Sequence, residues 1–205
     1  MLYCISRFLC FLIFKIVFRF EVWGREYIPE KGGFILASNH VSYLDPVAVG
    51  IACPRRLNFM ARHDLFFNHW FSWFISKVGA FPVKRDSADL SALKEAMRRI
   101  RNGEPLVLFP EGSRRFNGTS AEPQAGIGFL AMKLNVPVVP ALIKGTETAL
   151  PKGAKFIRPA KVSVYFGKQI LIERGLSYQA VAQTIMESIK ILDTKGEIKN
   201  GRNKI

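Results

Sequence analysis

Cysteine is scarce in this chain: Cys4, Cys10 and Cys53 are the three thiols in 205 residues. Three scattered cysteines make no disulfide framework, and no CxxC pair or Cys/His cluster offers a structural metal site, so a reducing compartment is expected. Histidine is as rare, with His40, His63 and His69 alone, which leaves few candidates for a general base. There is no P-loop and no GxGxxG fingerprint, so neither a nucleotide cofactor nor a catalytic metal is expected. No GxSxG elbow occurs and no cysteine lies near a histidine in the sequence, so nothing announces a covalent nucleophile. Acidic residues number 16 against 30 Lys and Arg, giving a formal net charge of +14 and a pI near 10.0. Such a field attracts polyanions: nucleic acid, anionic lipid or a phosphorylated substrate.

What the chain does have is apolar surface. Hydrophobic residues make up 49% and aromatics 12%, and the mean hydropathy is +0.11 despite the charge. A nucleic-acid binder this basic would ordinarily read as hydrophilic, so the combination favours a membrane surface and no nucleic-acid partner. The length suits one domain, and the composition excludes wholesale disorder. No long hydrophobic run is present either. Residues 1–20 are the most apolar stretch, but Arg7, Lys15 and Arg19 interrupt it and Phe8–Phe14 is its longest clean run, whereas a full span needs about 20 predominantly apolar residues. At 100° per residue the three cations share about a third of the helix circumference, so a helix lying in the interface is expected to turn them toward headgroups, with a tilted span or a helix buried against the domain as the alternatives. The expected organisation is an interfacial helix over 1–22, a domain over 23–195 and a flexible basic tail over 196–205.

From residue 33 onward short apolar runs alternate with helical segments, which points to α/β organisation. Strands are expected over Phe34–Ser38, Arg56–Ala61, Ala80–Val83, Pro105–Phe109, Pro137–Ile143 and Lys161–Phe166. Helices are expected over Ser87–Arg101, with Ser87 as N-cap and Gly103 as stop, and over Ser177–Leu192. Residues 65–78 are apolar nearly all round, so that helix is either buried or in contact with lipid.

Of the three histidines, His40 alone has an aspartate five residues on, Asp45. A carboxylate can hold one imidazole nitrogen protonated and oriented, leaving the other as a general base. Residues five apart diverge by about 140° on a regular helix, so the segment cannot be uniformly helical. A strand ending near Ser38 and a helix starting at Ser42 or Asp45, with Pro46 in its first turn, would fold Asp45 back toward His40 at the carboxyl edge of the sheet. The same spacing also suits a mere N-cap at Asp45, so the pair needs company. Phe109–Arg115 supplies it: directly after an apolar strand, Pro110, Glu111 and Gly112 aim a carboxylate and a turning backbone at the same edge. Two guanidiniums follow, Arg114 and Arg115, suited to gripping a phosphate.

Four ordered blocks then resemble those of the lysophosphatidate acyltransferases, within the glycerolipid acyltransferases. Asn39–Pro46 resembles the NHxSxxDP block, Gly79–Arg85 the substrate-binding arginine block, Phe109–Arg115 the FPEGTRS block and Val136–Pro140 the fourth. The resemblance implies that His40 is the base and Asp45 its orienting partner. It implies that Glu111, Gly112, Ser113 and Arg114 belong to the acceptor site, that Arg85 holds the acceptor's phosphate, and that Arg62 stands where a phosphate-contacting lysine often sits. Ser113, Arg115 and Lys84 depart from the family pattern, which bears on acceptor preference. The fold implied is a mixed sheet flanked by helices with a membrane-anchoring N-terminal helix.

The activity implied is transfer of a fatty acyl group from an acyl carrier protein or coenzyme A thioester to 1-acyl-sn-glycerol-3-phosphate, with glycerol 3-phosphate or another lysophospholipid as alternative acceptors. The partners implied are that donor, the lysophospholipid and an anionic membrane surface, with the enzyme peripheral or monotopic on the cytoplasmic face of the cell membrane. An alkyl alcohol titrates far above neutrality, so a base must remove its proton as the C–O bond forms, while the thioester is already activated. Direct transfer without an acyl-enzyme is therefore expected. A basic nucleic-acid-binding domain and a scaffold that has lost catalysis are the readings from other classes, and each predicts no acyl transfer.

Overall fold

A parallel run of strands forms wherever the apolar segments recur after Gly33, and helices cover both of its faces. In the computed structural model, residues 1–84, 89–112, 123–151, 153–172 and 175–202 are described, the stretch 194–202 by its backbone alone. Their strands are β1 (Glu21–Trp23), β2 (Ile35–Ser38), β3 (Asn58–Arg62), β4 (Ala80–Val83), β5 (Leu106–Leu108), β6 (Val138–Lys144) and β7 (Ser163–Phe166). The helices are α1 (Leu2–Val17), α2 (Asp45–Ala52), α3 (His69–Lys77), α4 (Leu90–Arg101), α5 (Ala125–Leu134), α6 (Thr146–Ala149) and α7 (Tyr178–Arg202).

The seven strands make one sheet in the order β1-β7-β6-β2-β5-β3-β4. The run from β6 to β4 is parallel, and β7 joins β6 antiparallel while pairing parallel with β1. The sheet is therefore mixed, as expected, with its parallel part delivering every strand end from β2 to β6 to one edge.

Side chains alternate across β2, and that alternation splits the core in two. Phe34 and Leu36 join Phe14, Phe18, Phe20, Val49 and Ala52 beneath α1 and α2. Ile35 and Ala37 join Ile100, Leu130, Val181 and Ile185 beneath α4, α5 and α7. All four β2 residues are buried, as a central parallel strand requires.

α1 is part of this packing. Phe14 meets Phe18 and Phe20 edge-on at centroid separations of 4.8 and 5.3 Å, and each buried ring contributes about 1.5–3 kcal/mol. Both cations within the helix bond to the protein, Arg7 half-buried and Lys15 exposed. Arg7 donates to the carbonyls of Cys53 at 2.6 Å and Pro54 at 3.4 Å, past the end of α2, and Lys15 donates to the Phe20 carbonyl at 3.4 Å. Carbonyls left unpaired where a helix ends attract cations, which explains the departure from expectation at Arg7. The exposed surface of the helix is mainly apolar, with Ile5, Phe8, Leu9, Leu12, Ile13 and Ile16 beside Cys4 and Lys15. Among the described residues no helix is long and apolar enough to cross a membrane.

Other boundaries moved. Glu21 and Val22, expected within the N-terminal helix, belong to β1. The tail expected from residue 196 is helical as far as Arg202, since Gly196 inside a helix costs only about 1 kcal/mol and the flanking Lys and Glu favour it. α4 is capped by Asp89, whose Oδ1 accepts from the backbone of Ser91 and Ala92; Ser87, the expected cap, lies outside the described residues. The stretch 65–78 is not one buried helix. A 3₁₀ turn at His63–Phe66 precedes α3, and Phe67, Trp70, Phe71 and Trp73 are exposed, because α3 sits beside the edge strand β4, which has a neighbour on one side only.

Candidate active site

β2 ends at Ser38, and the next two residues hold the site to the sheet. Asn39 pairs with Ile143 as a further strand residue would: its Nδ2 donates to the Ile143 carbonyl at 2.9 Å and its Oδ1 accepts from the Ile143 amide at 2.8 Å. His40 follows, buried, with Nδ1 2.8 Å from Asp45 Oδ2. The bend that brings them together is made by Asp45 itself. Oδ2 also accepts from the amides of Val41 at 2.6 Å and Ser42 at 2.7 Å, closing a turn before α2, where Pro46 occupies the first helical turn and needs no N–H donor. The fold-back expected from the sequence is therefore present.

Asp45 is fully buried, and a buried carboxylate is tolerable only when its oxygens are hydrogen-bonded. Its remaining oxygen, Oδ1, accepts from the Thr146 hydroxyl at 2.6 Å. Ser42 Oγ donates to the Leu150 carbonyl at 3.1 Å. α6 and the residue that ends it thus clamp the His40–Asp45 turn from its far side. None of Asn39, Ser42 and Thr146 was foreseen as a site-forming residue, and the one signal was that Asn39 and Ser42 fall inside the first block.

His40 lines a cavity of about 490 Å³. Phe109, at the end of β5, stacks on the imidazole with centroids 4.1 Å apart and planes at 20°. The apolar wall comes from Met60, Leu90, Leu93, Leu108, Ile127 and Leu130, and the polar wall from Lys84, Asp89, Gln124 and the Gly112 backbone. The Lys84 amide holds the Asp89 carboxyl far below the usual carboxylate range, helped by the Ser91 hydroxyl and the Ala92 amide. The exposed rings of Phe67, Trp70, Phe71 and Trp73 are not part of this wall.

The other expected site residues divide. Gly112 lines the cavity at φ +67°, and a Cβ there would come within 2.1 Å of Gln124 Nε2, so the turn requires glycine. Glu111, half-buried, occupies the same turn but is not part of the cavity wall. Arg62, at the carboxyl end of β3, is exposed and ion-paired with Asp64, its Nε 3.0 Å from Oδ1, and does not line the cavity. Arg85, Ser113 and Arg114 lie outside the described residues. Cys53 is buried at the end of α2, and burial pushes its thiol up to about 11, which disqualifies it as a nucleophile at neutral pH.

An imidazole–carboxylate pair at the carboxyl edge of a parallel sheet, beside a largely apolar cavity, is an arrangement that can move a proton. Comparison with known proteins names the class. A family model described as Acyltransferase matches residues 19–144, more than half of the chain and including His40, Asp45, Glu111 and Gly112, and the chain belongs to that family.

The chain is similar to the 1-acyl-sn-glycerol-3-phosphate acyltransferase of Bacillus subtilis, 27% identical over 151 residues covering 73% of each chain. It is 32% identical over 146 residues to the Streptococcus pneumoniae protein of the same name, covering 70% of this chain and 52% of that one. Among solved structures, the 1-acyl-sn-glycerophosphate (LPA) acyltransferase PlsC from Thermotoga maritima superposes with a TM-score of 0.78 at 25% identity, over 92% of this chain and 77% of that one.

Proposed function

We propose that this chain is a 1-acyl-sn-glycerol-3-phosphate O-acyltransferase, moving a fatty acyl group from an acyl carrier protein or coenzyme A thioester to the free hydroxyl of the acceptor and yielding phosphatidic acid. The observation that carries the reading is the 2.8 Å contact between His40 Nδ1 and Asp45 Oδ2 at the wall of the cavity. Asp45 keeps the proton on Nδ1, so Nε2 is the basic nitrogen. It takes the hydroxyl proton as the acceptor oxygen bonds to the thioester carbon. The carbonyl electrons shift to oxygen; on their return the C–S bond breaks, and the thiolate takes the proton from the imidazolium. Ester and free thiol result, with no acyl-enzyme.

The apolar wall from Met60 to Leu130 suits an acyl chain. Arg85 is assigned the acceptor's phosphate, with Glu111, Gly112, Ser113 and Arg114 completing the acceptor site and Arg62 contributing positive charge at the end of β3. The exposed apolar face of α1 suits an interfacial position, peripheral or monotopic on the cytoplasmic face of an anionic membrane. The net charge of +14 suits that surface and either acidic donor carrier.

The test is a rate measurement on purified protein in mixed micelles with acyl donor and lysophosphatidate. The His40→Ala variant is expected to lose about 10²- to 10⁴-fold in the chemical step. An undiminished rate, or a burst of thiol released without acceptor, would overturn the proposal. Replacing lysophosphatidate by glycerol 3-phosphate decides the acceptor, and complementation of a bacterium lacking its second glycerolipid acylation step repeats the test in cells.

A further inference from the structure

Thr146 holds a position that the proton-transfer scheme above does not use. It is completely buried, and its hydroxyl reaches Asp45 from 101 residues away at 2.6 Å. The turn that delivers it admits only glycine before it. Gly145 has φ +89°, and a Cβ there would lie 1.9 Å from the Lys161 carbonyl oxygen, so the end of β6 is fixed against the start of β7 and Thr146 has little room to drift. The other three donors to the carboxylate, His40 Nδ1 and the amides of Val41 and Ser42, all converge on Oδ2. Three bonds to one oxygen leave the carboxylate plane able to swing about that oxygen. A fourth bond, to Oδ1, removes that freedom.

Resting on the reading of His40 as base, we infer that Thr146 is a positioning residue for the reaction: it locks the rotation of the Asp45 carboxylate and, through it, the aim of the His40 imidazole at the acceptor hydroxyl. The imidazole is held on one side by the Phe109 ring and on its Nδ1 edge by Asp45. A small rotation of the carboxylate therefore moves Nε2 in the plane along which the proton must travel. Hydroxyl loss at Thr146 leaves both catalytic side chains in place but unaimed. Misalignment of this size acts on the transition state, where geometry is most demanding, more than on substrate binding. Thr146 touches no cavity surface, so its effect on either substrate's KM is small.

The experiment compares wild type with Thr146→Ser, Thr146→Cys, Thr146→Val and His40→Ala, reading kcat and both KM values in mixed micelles with acyl donor and lysophosphatidate. Thr146→Val is expected to lower kcat by about 10- to 100-fold with KM changed less than about threefold, and Thr146→Ser, which keeps the donor, to stay within about threefold of wild type. Thr146→Cys, a weaker donor, falls between them. A Thr146→Val enzyme with wild-type kcat beside a dead His40→Ala enzyme overturns the role of Thr146 alone. An active His40→Ala enzyme overturns the base and the role of Thr146 together. Should the valine variant fail to fold, a Thr146→Cys kcat equal to or above that of Thr146→Ser overturns the inference.

Discussion

Two carboxylates show how differently the same group is used in this chain. Asp45 is sealed and answers four donors, so its charge is spent on geometry. Glu95, on α4, is only partly covered and binds Arg98 Nε at 2.8 Å and Arg99 Nε at 2.7 Å. Arg98 foremost, with Arg99, holds the Glu95 carboxyl down at about 2 against an ordinary 4.5. A depressed carboxylate contributes stability above its unfolded value that is lost as pH falls through the folded one. The wild type should therefore lose stability between about pH 4.5 and 2 faster than Glu95→Gln, and melting curves of the two proteins should converge across that window; parallel curves would refute the assignment. Arg99 also donates to Asn58 Oδ1 at 2.5 Å, so this pair ties α4 to β3. His40 and Asp45 were legible in the sequence because five residues separate them and a turn is local. Asn39 and Thr146 were not legible as clamps, because their partners lie 104 and 101 positions away and a side-chain bond of that reach leaves no local pattern.

A helix hidden by glycine, α5, was the longest element the sequence concealed. α5 carries Gly126 and Gly128, which weaken its helical signal, yet the second is required by packing: a Cβ at Gly128 would approach the Tyr178 carbonyl oxygen to 2.0 Å, whereas one at Gly126 meets nothing within 4 Å. Gly128→Ala should accordingly destabilise the protein by about 1–3 kcal/mol through a forced shift of α7, while Gly126→Ala leaves the melting temperature unchanged or slightly raised; equal behaviour of the two variants in thermal melts would contradict the close approach. β1 escaped notice because three residues are too few for a period-2 pattern, and α6 because it is a single turn. The six expected strands did appear, since each is a short apolar run set off by turn residues, including β4 at the edge of the sheet. α1 was legible as a helix but not in its facing. A helical projection places cations in a sector without saying that the end of α2 is waiting for one of them.

At the scale of the molecule, charge and apolar exposure act together. On the proposed interfacial position, the formal charge of +14 would draw the chain to anionic surfaces over roughly a Debye length, about 10 Å at 0.1 M salt, while the α1 face and the exposed rings Trp70 and Trp73 would offer short-range burial that salt does not screen. Binding to vesicles containing phosphatidylglycerol should therefore fall with salt to a plateau rather than to zero. The double variant Phe8→Ser, Ile16→Ser should lower that plateau by at least about tenfold with an unchanged melting temperature in the absence of lipid. Loss of all binding at high salt in the wild type would refute the apolar component. The sheet order adds a consequence in time. β6 lies between β7 and β2 and carries both Ile143 and the approach to Thr146, so a nascent chain that has emerged only through α5 already owns its imidazole and aspartate but lacks the strand that steadies them. On the reading of His40 as base, competence for acyl transfer should therefore arrive only after β6 and Thr146 have been made, later than every wall of the cavity.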